Sequence, residues 1–312
     1  MPESVDIPSA DKIADVDLSK EGVGIDISSG EYYKGRLYTP DNFAKGDISQ
    51  GNPDDKYATF RIVLPLEKGV TYGLSGETAT YAQQVYIDGK LLSEVGKVSD
   101  NAEEFVPATD RYTLYFTAQA DTAEIIIRHA WFNHRTGTIQ KLCLAKAPLI
   151  SANERAQTVC DGLIAGTLLA MAIFFFGMFL LGNRKRSMMW FSLSCLTAAL
   201  HYLIYESKQI GVLFPYLDWY TEHKLEYITN ILYFVFILLY AFAALGLRPH
   251  KRFVVTSICS AGAILLFYIF TPSTVYTHFT VVAGAVMAVY LILSSVSVSY
   301  THLRAHETCA DL

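Results

Sequence analysis

Five long apolar runs in the second half of the chain constrain the fold more than any other feature of the sequence. The first run, residues 163–181, contains no charged residue. At about 1.5 Å rise per residue, a helix of this length approaches the roughly 30 Å thickness of membrane hydrocarbon. Similar runs follow with only short polar connectors, which is unusual for buried helices of soluble proteins. We therefore predict an α-helical bundle over residues 158–297 with five transmembrane helices, at residues 163–181, 188–205, 225–247, 253–270 and 279–297.

The residues before the first run have the composition of a water-facing domain. Through Ala156 there are 23 Asp and Glu against 16 Lys and Arg, a formal charge of −7. This half lacks the basic stripe that nucleic-acid binding requires, so no nucleic-acid partner is expected. We predict a domain at residues 17–148 and a linker at residues 149–157.

Short segments of alternating polarity indicate that this domain is built from β-strands. Ala58, Phe60, Ile62 and Leu64 fall on one face of one segment, and Asp88-Gly89 separates two others like a type I′ hairpin turn. Further strands are predicted at residues 70–74, 85–87, 112–117, 123–128 and 139–144. No convincing amphipathic helix interrupts these segments, so we predict an all-β antiparallel sandwich.

Basic residues in the short connectors predict the orientation in the membrane. Arg184, Lys185 and Arg186 lie in the first connector, and a second basic group lies at residues 248–252 in the third. Connectors with excess Lys and Arg face the cytoplasm. The β domain is then extracytoplasmic, in a multi-pass protein of the inner or plasma membrane.

Both ends of the chain carry predictions of their own. Residues 1–16 form a separate N-terminal segment without a signal peptide, so the true start is predicted to lie upstream of Met1. Residues 298–312 resemble the conceptual translation of a transposase-library sequencing adapter, and we predict that they are not native. The alternative is a native cytoplasmic tail, in which His302 and His306 have the i, i+4 spacing of a metal site.

Several segments resemble a galactose-binding-like jelly roll placed before the membrane half of a receptor. Residues 17–297 resemble the bacterial seven-transmembrane receptors with diverse intracellular signalling modules. The chain departs from that family in showing five spans and no output domain, so the resemblance implies a truncated receptor. The segments that carry the resemblance are Gly35–Phe43, Tyr57–Ile62, Val85–Lys90 with Gly96, Trp131–Gly137, Leu213–Leu217 and Leu225–Asn230.

The resemblance implies that the outer domain senses a ligand and that the helices pass the signal to a cytoplasmic kinase, cyclase or related module. The implied partners are a small-molecule or carbohydrate ligand and the lipid bilayer, with a homodimer if the output is a kinase or cyclase. No cofactor is predicted. The alternative is a membrane-anchored carbohydrate-binding module for attachment or transport. An enzyme is disfavoured because neither half carries a recognisable catalytic motif.

Candidate ligand-binding residues lie in two segments of the β domain. Trp131, Asn133, His134 and Arg135 form a cluster in which the indole can stack on a sugar and the polar groups can bond hydroxyls. The alternative is a turn whose Trp fills the sandwich. Arg36 and Tyr38 have the same two interpretations. No catalytic residue and no metal site is predicted.

A polar group in the membrane half is the last candidate. Glu226 and Asn230 lie at i, i+4 on one face of the third span, and His201 lies near the outer end of the second. Polar groups at membrane depth usually face a bundle interior or water. We predict that these three form a relay, with hydrated interfacial placement as the alternative. For Glu222, His223 and Lys224 the hydrated alternative is preferred.

Overall fold

The computed structural model describes residues 17–25, 28, 30–134, 137, 139, 142–182, 184–244 and 251–310, without the side chains of residues 79–80 and 294–310. The predicted N-terminal segment, residues 1–16, lies outside these ranges. The chain divides into two compact units, Met1–Val159 and Cys160–Leu312. The described elements of the first unit, before its final helix, are β1 (Val23–Ile25), β2 (Glu31–Lys34), α1 (Pro40–Lys45), β3 (Tyr57–Pro65), β4 (Thr71–Ile87), β5 (Lys90–Val95), β6 (Ala108–Thr117), β7 (Thr122–Ala130) and β8 (Leu142–Lys146).

The strands form an antiparallel sheet that curls around one shared strand, β4. The first half of β4 pairs with β6 and β8, and β8 pairs in turn with β1. The second half of β4 pairs with β5 and β7, and the sheet continues through β3 to β2 at its edge. The all-β antiparallel fold predicted for this part of the chain is confirmed, and the curl brings the two ends of the sheet face to face.

Strand β4 corrects the prediction of separate strands at residues 70–74 and 85–87, because it runs through both as one element of 17 residues. Its pairing with β6 is irregular between Thr78 and Tyr81. Before this bulge the even-numbered Tyr72 and Leu74 are buried, and after it the odd-numbered Val85 and Ile87 are. An extra residue in a strand exchanges the side chains between the two faces, so the alternation loses its phase.

The core of the β domain lies between the two halves of the curled sheet. The four residues predicted to share one face of β3, Ala58, Phe60, Ile62 and Leu64, are all buried, with at most 3% of each exposed. Burial of a side chain the size of Phe60, Ile62 or Leu64 contributes about 1.5–3 kcal/mol. Ala58 belongs to a smaller cluster with Tyr81 and Trp131. The core that contains Phe60, Ile62 and Leu64 also includes Ile25, Tyr72, Leu74, Val85, Ile87, Leu114, Ile125, Ile127, Leu142 and Leu144.

Among the described residues, five apolar helices follow, each long enough to cross a membrane. They confirm the predicted order of a β domain and then an apolar helical region. The described elements are α2 (Ala147–Leu181), α3 (Arg186–His201) continuing as a π-helical turn (Tyr202–Glu206), the short α4 (Ile210–Leu213), α5 (Trp219–Ala244), α6 (Lys251–Phe270) and α7 (Ser273–Ala310). Backbone of the predicted adapter-derived tail, as far as it is described, continues α7; its origin stays a prediction.

Helix α2 corrects the predicted linker at residues 149–157. The helix begins at Ala147, directly after β8, and continues without interruption to Leu181. A polar stretch that borders an apolar run reads as a connector, but Ala147–Leu181 contains no proline beyond the first turn that would stop a helix. The segment is therefore the beginning of the first apolar helix.

Candidate ligand-binding and relay sites

The inner face of β7 ends in a buried polar side chain, His129. It follows Ile125 and Ile127 on the face that lines the core, and it is fully buried. Its Nε2 lies 3.2 Å from the Tyr32 hydroxyl oxygen. Burial lowers the pKa of His129 to about 3 and raises the pKa of Tyr32 to about 12, so both are neutral near pH 7. Sequence reasoning missed His129, although its odd-numbered position after Ile125 and Ile127 placed it on the core face.

Buried polar atoms without a partner cluster near this end of the sheet. Gln83 lies opposite His129 in the register of β4 and β7, and its amide nitrogen donates to the Tyr112 hydroxyl at 2.8 Å. Within the described part of the chain, Gln83 Oε1 and His129 Nδ1 have no hydrogen-bond partner. Leaving such a group unsatisfied costs about 1–3 kcal/mol, so these two core atoms are suited to bond a buried water.

Trp131 is a packing residue in this structure. Only 3% of it is exposed, and its ring stacks on His129 with centroids 4.9 Å apart. Its ring also lies so close to Gly137 that a Cβ there would collide with it. A sugar cannot stack on a ring that is covered in this way. The filling of the sandwich, the alternative considered for Trp131, is the arrangement observed.

The neighbours of Trp131 have different environments. Asn133 is 5% exposed, and both of its amide atoms lack a hydrogen-bond partner among the described residues. The backbone N–H of His134 donates to the Trp131 carbonyl at 3.2 Å, and its side chain is half-buried. Arg135 lies outside the described residues. Of the predicted cluster, Asn133 therefore has the strongest unsatisfied capacity to bond a polar ligand.

The predicted residues Arg36 and Tyr38 lie on the other face of the sheet. Thr59 Oγ1 accepts from the Tyr38 N–H at 2.8 Å and donates to the Arg36 carbonyl at 2.8 Å. Thr59 and Ala58 point to opposite faces of β3, and Ala58 packs with Trp131. The six predicted ligand-binding residues therefore do not converge on one site.

Tyr38 itself is held by packing. Its hydroxyl donates to the Ser49 carbonyl at 2.6 Å, and its ring contacts Tyr33 and Phe43 at centroid distances of 5.6 Å. Only 8% of Tyr38 is exposed. The side chain of Arg36 is exposed, so it is the member of this pair that can meet a ligand directly.

The three residues of the predicted relay lie together. His201 Nδ1 is 3.2 Å from the Glu226 carbonyl oxygen and 3.3 Å from Thr229 Oγ1, and His201 Nε2 is 3.5 Å from Asn230 Nδ2. A chain of polar groups therefore joins α3 to α5 next to the start of the π-helical turn. Their role as a relay stays a prediction.

A second histidine extends this polar chain. His223 Nδ1 lies 3.3 Å from Glu226 Oε2, and the ring of His223 stacks on Trp219 with centroids 4.6 Å apart. His223 is 5% exposed and Glu222 is 8% exposed. The preferred interpretation of these two residues as hydrated was wrong, because the turn before the apolar run packs among aromatic rings.

In the described part of the chain, an antiparallel β domain is followed by five apolar helices, which indicate a multi-pass membrane protein. Residues 157–306 match the model of the family described as 7TM diverse intracellular signalling. This match points to a signalling receptor and confirms, for this part of the chain, the resemblance seen in the sequence.

The β domain is similar to domains in solved structures at low identity. A family 35 carbohydrate-binding module from Clostridium thermocellum matches at 12% identity and a TM-score of 0.25, over 41% of this chain and 99% of that one. An exo-β-1,3-galactanase from Phanerochaete chrysosporium, solved with galactose, matches at 12% identity and a TM-score of 0.23, over 40% of this chain and 29% of that one. Among curated proteins, none matches this chain.

Proposed function

We propose that the chain is the ligand-sensing and membrane-spanning part of a signalling receptor. The match of residues 157–306 to a signalling family is the observation that carries this proposal. The β domain immediately precedes the matched region and shares helix α2 with it. A ligand that binds the β domain outside the cytoplasm changes the helix arrangement, and the helices pass that change to a cytoplasmic output module.

The ligand that best suits this end of the β domain is a small molecule with several hydroxyl groups. Asn133 offers a donor and an acceptor that have no partner among the described residues, whereas the unpartnered atoms of Gln83 and His129 lie in the core and are suited to a buried water. A carbohydrate provides hydroxyls that both donate and accept, so it can satisfy both atoms of the Asn133 amide. His134 and Arg135 of the predicted cluster stay predicted ligand-binding residues.

The predicted relay connects ligand binding to the helices. His201 on α3 contacts Glu226 and Asn230 on α5, so a shift of either helix must break or re-form those contacts. Polar groups at this depth are costly to leave unpaired, which favours discrete alternative arrangements over gradual ones. Such alternatives are what a receptor requires, with coupling energies typically about 1–3 kcal/mol.

The experiment uses the full chain in lipid nanodiscs with galactose, glucose, N-acetylglucosamine and glucuronate as probes. Binding is detected as a rise in the melting temperature, and Asn133→Ala is expected to lower that rise. With the bound probe, hydrogen exchange is then measured at residues 200–207 and 226–230. A receptor predicts changed exchange in both segments. Binding that changes exchange only before residue 147 would instead favour the membrane-anchored binding module.

A further inference from the structure

The first three turns of helix α2 lie against the outer face of the β-sheet. Ile150 packs on Gly73 so closely that a Cβ at Gly73 would lie 2.8 Å from the Ile150 Cβ. In the register of β4 and β6, Gly73 is paired with Tyr115, and the Tyr115 hydroxyl donates to Glu154 Oε2 at 2.7 Å. Glycine at position 73 is what allows the helix to approach the sheet at this point.

A third contact continues along the same side of the helix. With the Gln157 amide oriented so that its oxygen faces the guanidinium, Arg111 Nη1 and Nη2 donate to it at 3.1 and 3.3 Å. Arg111 and Tyr115 are odd-numbered residues of β6, whereas Tyr112 on the same strand faces the core. The outer face of β6 therefore holds the helix through two polar side chains.

The next residue of this helix face contacts the second apolar helix. Asp161 follows Gln157 by four positions, and its Oδ1 accepts from the Tyr202 hydroxyl at 2.7 Å. Asp161 is only 6% exposed, so this hydrogen bond satisfies a buried carboxyl group. Tyr202 is the first residue of the π-helical turn and directly follows His201 of the predicted relay.

The four helix residues form one stripe. Ile150, Glu154, Gln157 and Asp161 are separated by four, three and four positions, which places them on a single face of an α-helix. We propose that this stripe is the coupling element of the receptor: it joins the outer face of β6 to Tyr202, and through Tyr202 to His201. The proposal rests on the receptor function proposed above, and it assigns positioning roles to Arg111, Tyr115 and Asp161.

The stripe can carry a signal because its two ends are held by different partners. A movement of β6 changes the hydrogen bonds to Glu154 and Gln157, and the helix transfers that displacement to Asp161 on the same face. The π-helical turn that begins at Tyr202 is a local distortion of the kind often found where helices change shape. Tyr202 is therefore the point at which a shift of α2 acts on the polar chain between α3 and α5.

The test measures hydrogen exchange of the full chain in nanodiscs at residues 151–158 and 202–207. Tyr115→Phe, alone and with Arg111→Gln, is expected to speed exchange about fivefold per lost hydrogen bond at residues 151–158. The same variants are expected to speed exchange at residues 202–207, which they do not touch. Asp161→Ala is expected to affect residues 202–207 while residues 151–154 keep wild-type exchange.

Matched variants separate coupling from general destabilisation. Tyr33→Phe removes the Tyr33–Glu31 hydrogen bond elsewhere in the β domain and should leave both segments unchanged. Glu154→Gln and Asp161→Asn keep an acceptor oxygen and should behave as the wild type. Gly73→Ala should speed hydrogen exchange at residues 151–158, because the added Cβ pushes the helix away from the sheet. Gly162→Ala, where an added Cβ meets nothing within 4 Å, should leave exchange there unchanged.

Two results would overturn the proposal. One is unchanged exchange at residues 151–158 in the Tyr115→Phe, Arg111→Gln double variant, which would mean that the contacts do not hold the helix. The other is faster exchange there with wild-type exchange at residues 202–207, which would mean that the helix does not transmit the change. Neither result depends on a ligand, so a failed search for a ligand would count against the receptor function and leave the coupling result standing.

Discussion

His129 makes the β domain sensitive to acid. Its pKa in the folded protein is about 3 because the ring is fully buried, against about 6.5 in an unfolded chain. The unfolded state therefore binds more protons between these values, and stability falls as the pH drops below about 6.5. Above pH 6.5 both states hold a neutral ring, and the effect vanishes. Linkage gives a loss of about 2 kcal/mol at pH 5 from this one group.

We predict that His129→Gln removes this part of the pH dependence. The measurement is urea unfolding of the full chain followed by Trp131 emission, with Trp190 and Trp219 replaced by Phe so that one of the three tryptophans remains. Between pH 7.5 and 5 the wild type should lose about 2 kcal/mol more than the variant. An equal loss in both proteins would show that His129 is protonated without cost in the folded state.

We expect Tyr38 to contribute to the stability of the β domain and not to ligand affinity. Tyr38→Phe removes the hydrogen bond from its buried hydroxyl to the Ser49 carbonyl, so the free energy of unfolding should fall by about 1 kcal/mol. Tyr33→Phe, which removes a hydroxyl bonded at the surface, should cost less. Urea unfolding gives the free energies and probe titration gives affinity. A loss of probe affinity without a loss of stability would restore Tyr38 as a ligand-binding residue.

Single side chains were predicted best where the chemistry was local. Helical spacing correctly placed Glu226 and Asn230 one turn apart on α5, where His201 meets the Asn230 amide and the backbone carbonyl of Glu226, while the Glu226 carboxylate contacts His223; the relay itself stays a prediction. The burial of Trp131 under Gly137 did not, because a loop that folds back on a ring leaves no periodic signal. An exposed and a buried Trp in a turn look identical in sequence.

The turn between β4 and β5 was predicted directly from the sequence Asp88-Gly89, and a substitution in it tests the turn type. Asp88 and Gly89 have φ of 47° and 78°, as a type I′ turn requires. Gly89→Ala should lower the free energy of unfolding by about 1 kcal/mol, although an added Cβ has open space, because the cost is purely conformational. Asp88→Asn should be neutral, since Asn tolerates positive φ. Unchanged stability in Gly89→Ala would contradict the turn assignment.

Whole strands were predicted correctly where apolar and polar residues alternate without interruption, and they were missed where a bulge shifts that alternation by one residue. In strand β3 the apolar residues alternate, so the predicted core face was correct at all four positions, although Thr59 on the opposite face is buried as well. The bulge in β4 hid one long strand as two short ones. Helix α2 begins in polar sequence because its first turns are held by the sheet through Ile150 and Glu154, and such tertiary contacts are invisible in a local window.

The molecule joins two regions of different solvent preference along one continuous helix. The residues through Ala156 carry a formal charge of −7, whereas the region after them consists largely of five apolar helices. The resemblance and the family match agree for the helical part, and a homodimer stays a prediction from the resemblance alone. A receptor of the proposed kind requires the acidic β domain to lie outside the cytoplasm, on the side from which the ligand comes.

The most direct test of that requirement is the side of the membrane on which each region lies. Lys90→Cys in the β4–β5 hairpin and Lys185→Cys in the first connector are made separately in a chain whose five cysteines are replaced by serine. Cells are treated with a membrane-impermeant maleimide, in bacterial cells with the outer membrane permeabilised, before and after lysis. We expect labelling at position 90 before lysis and at position 185 only afterwards. Labelling at position 185 before lysis, with position 90 protected, would place the β domain in the cytoplasm and contradict an outward-facing receptor.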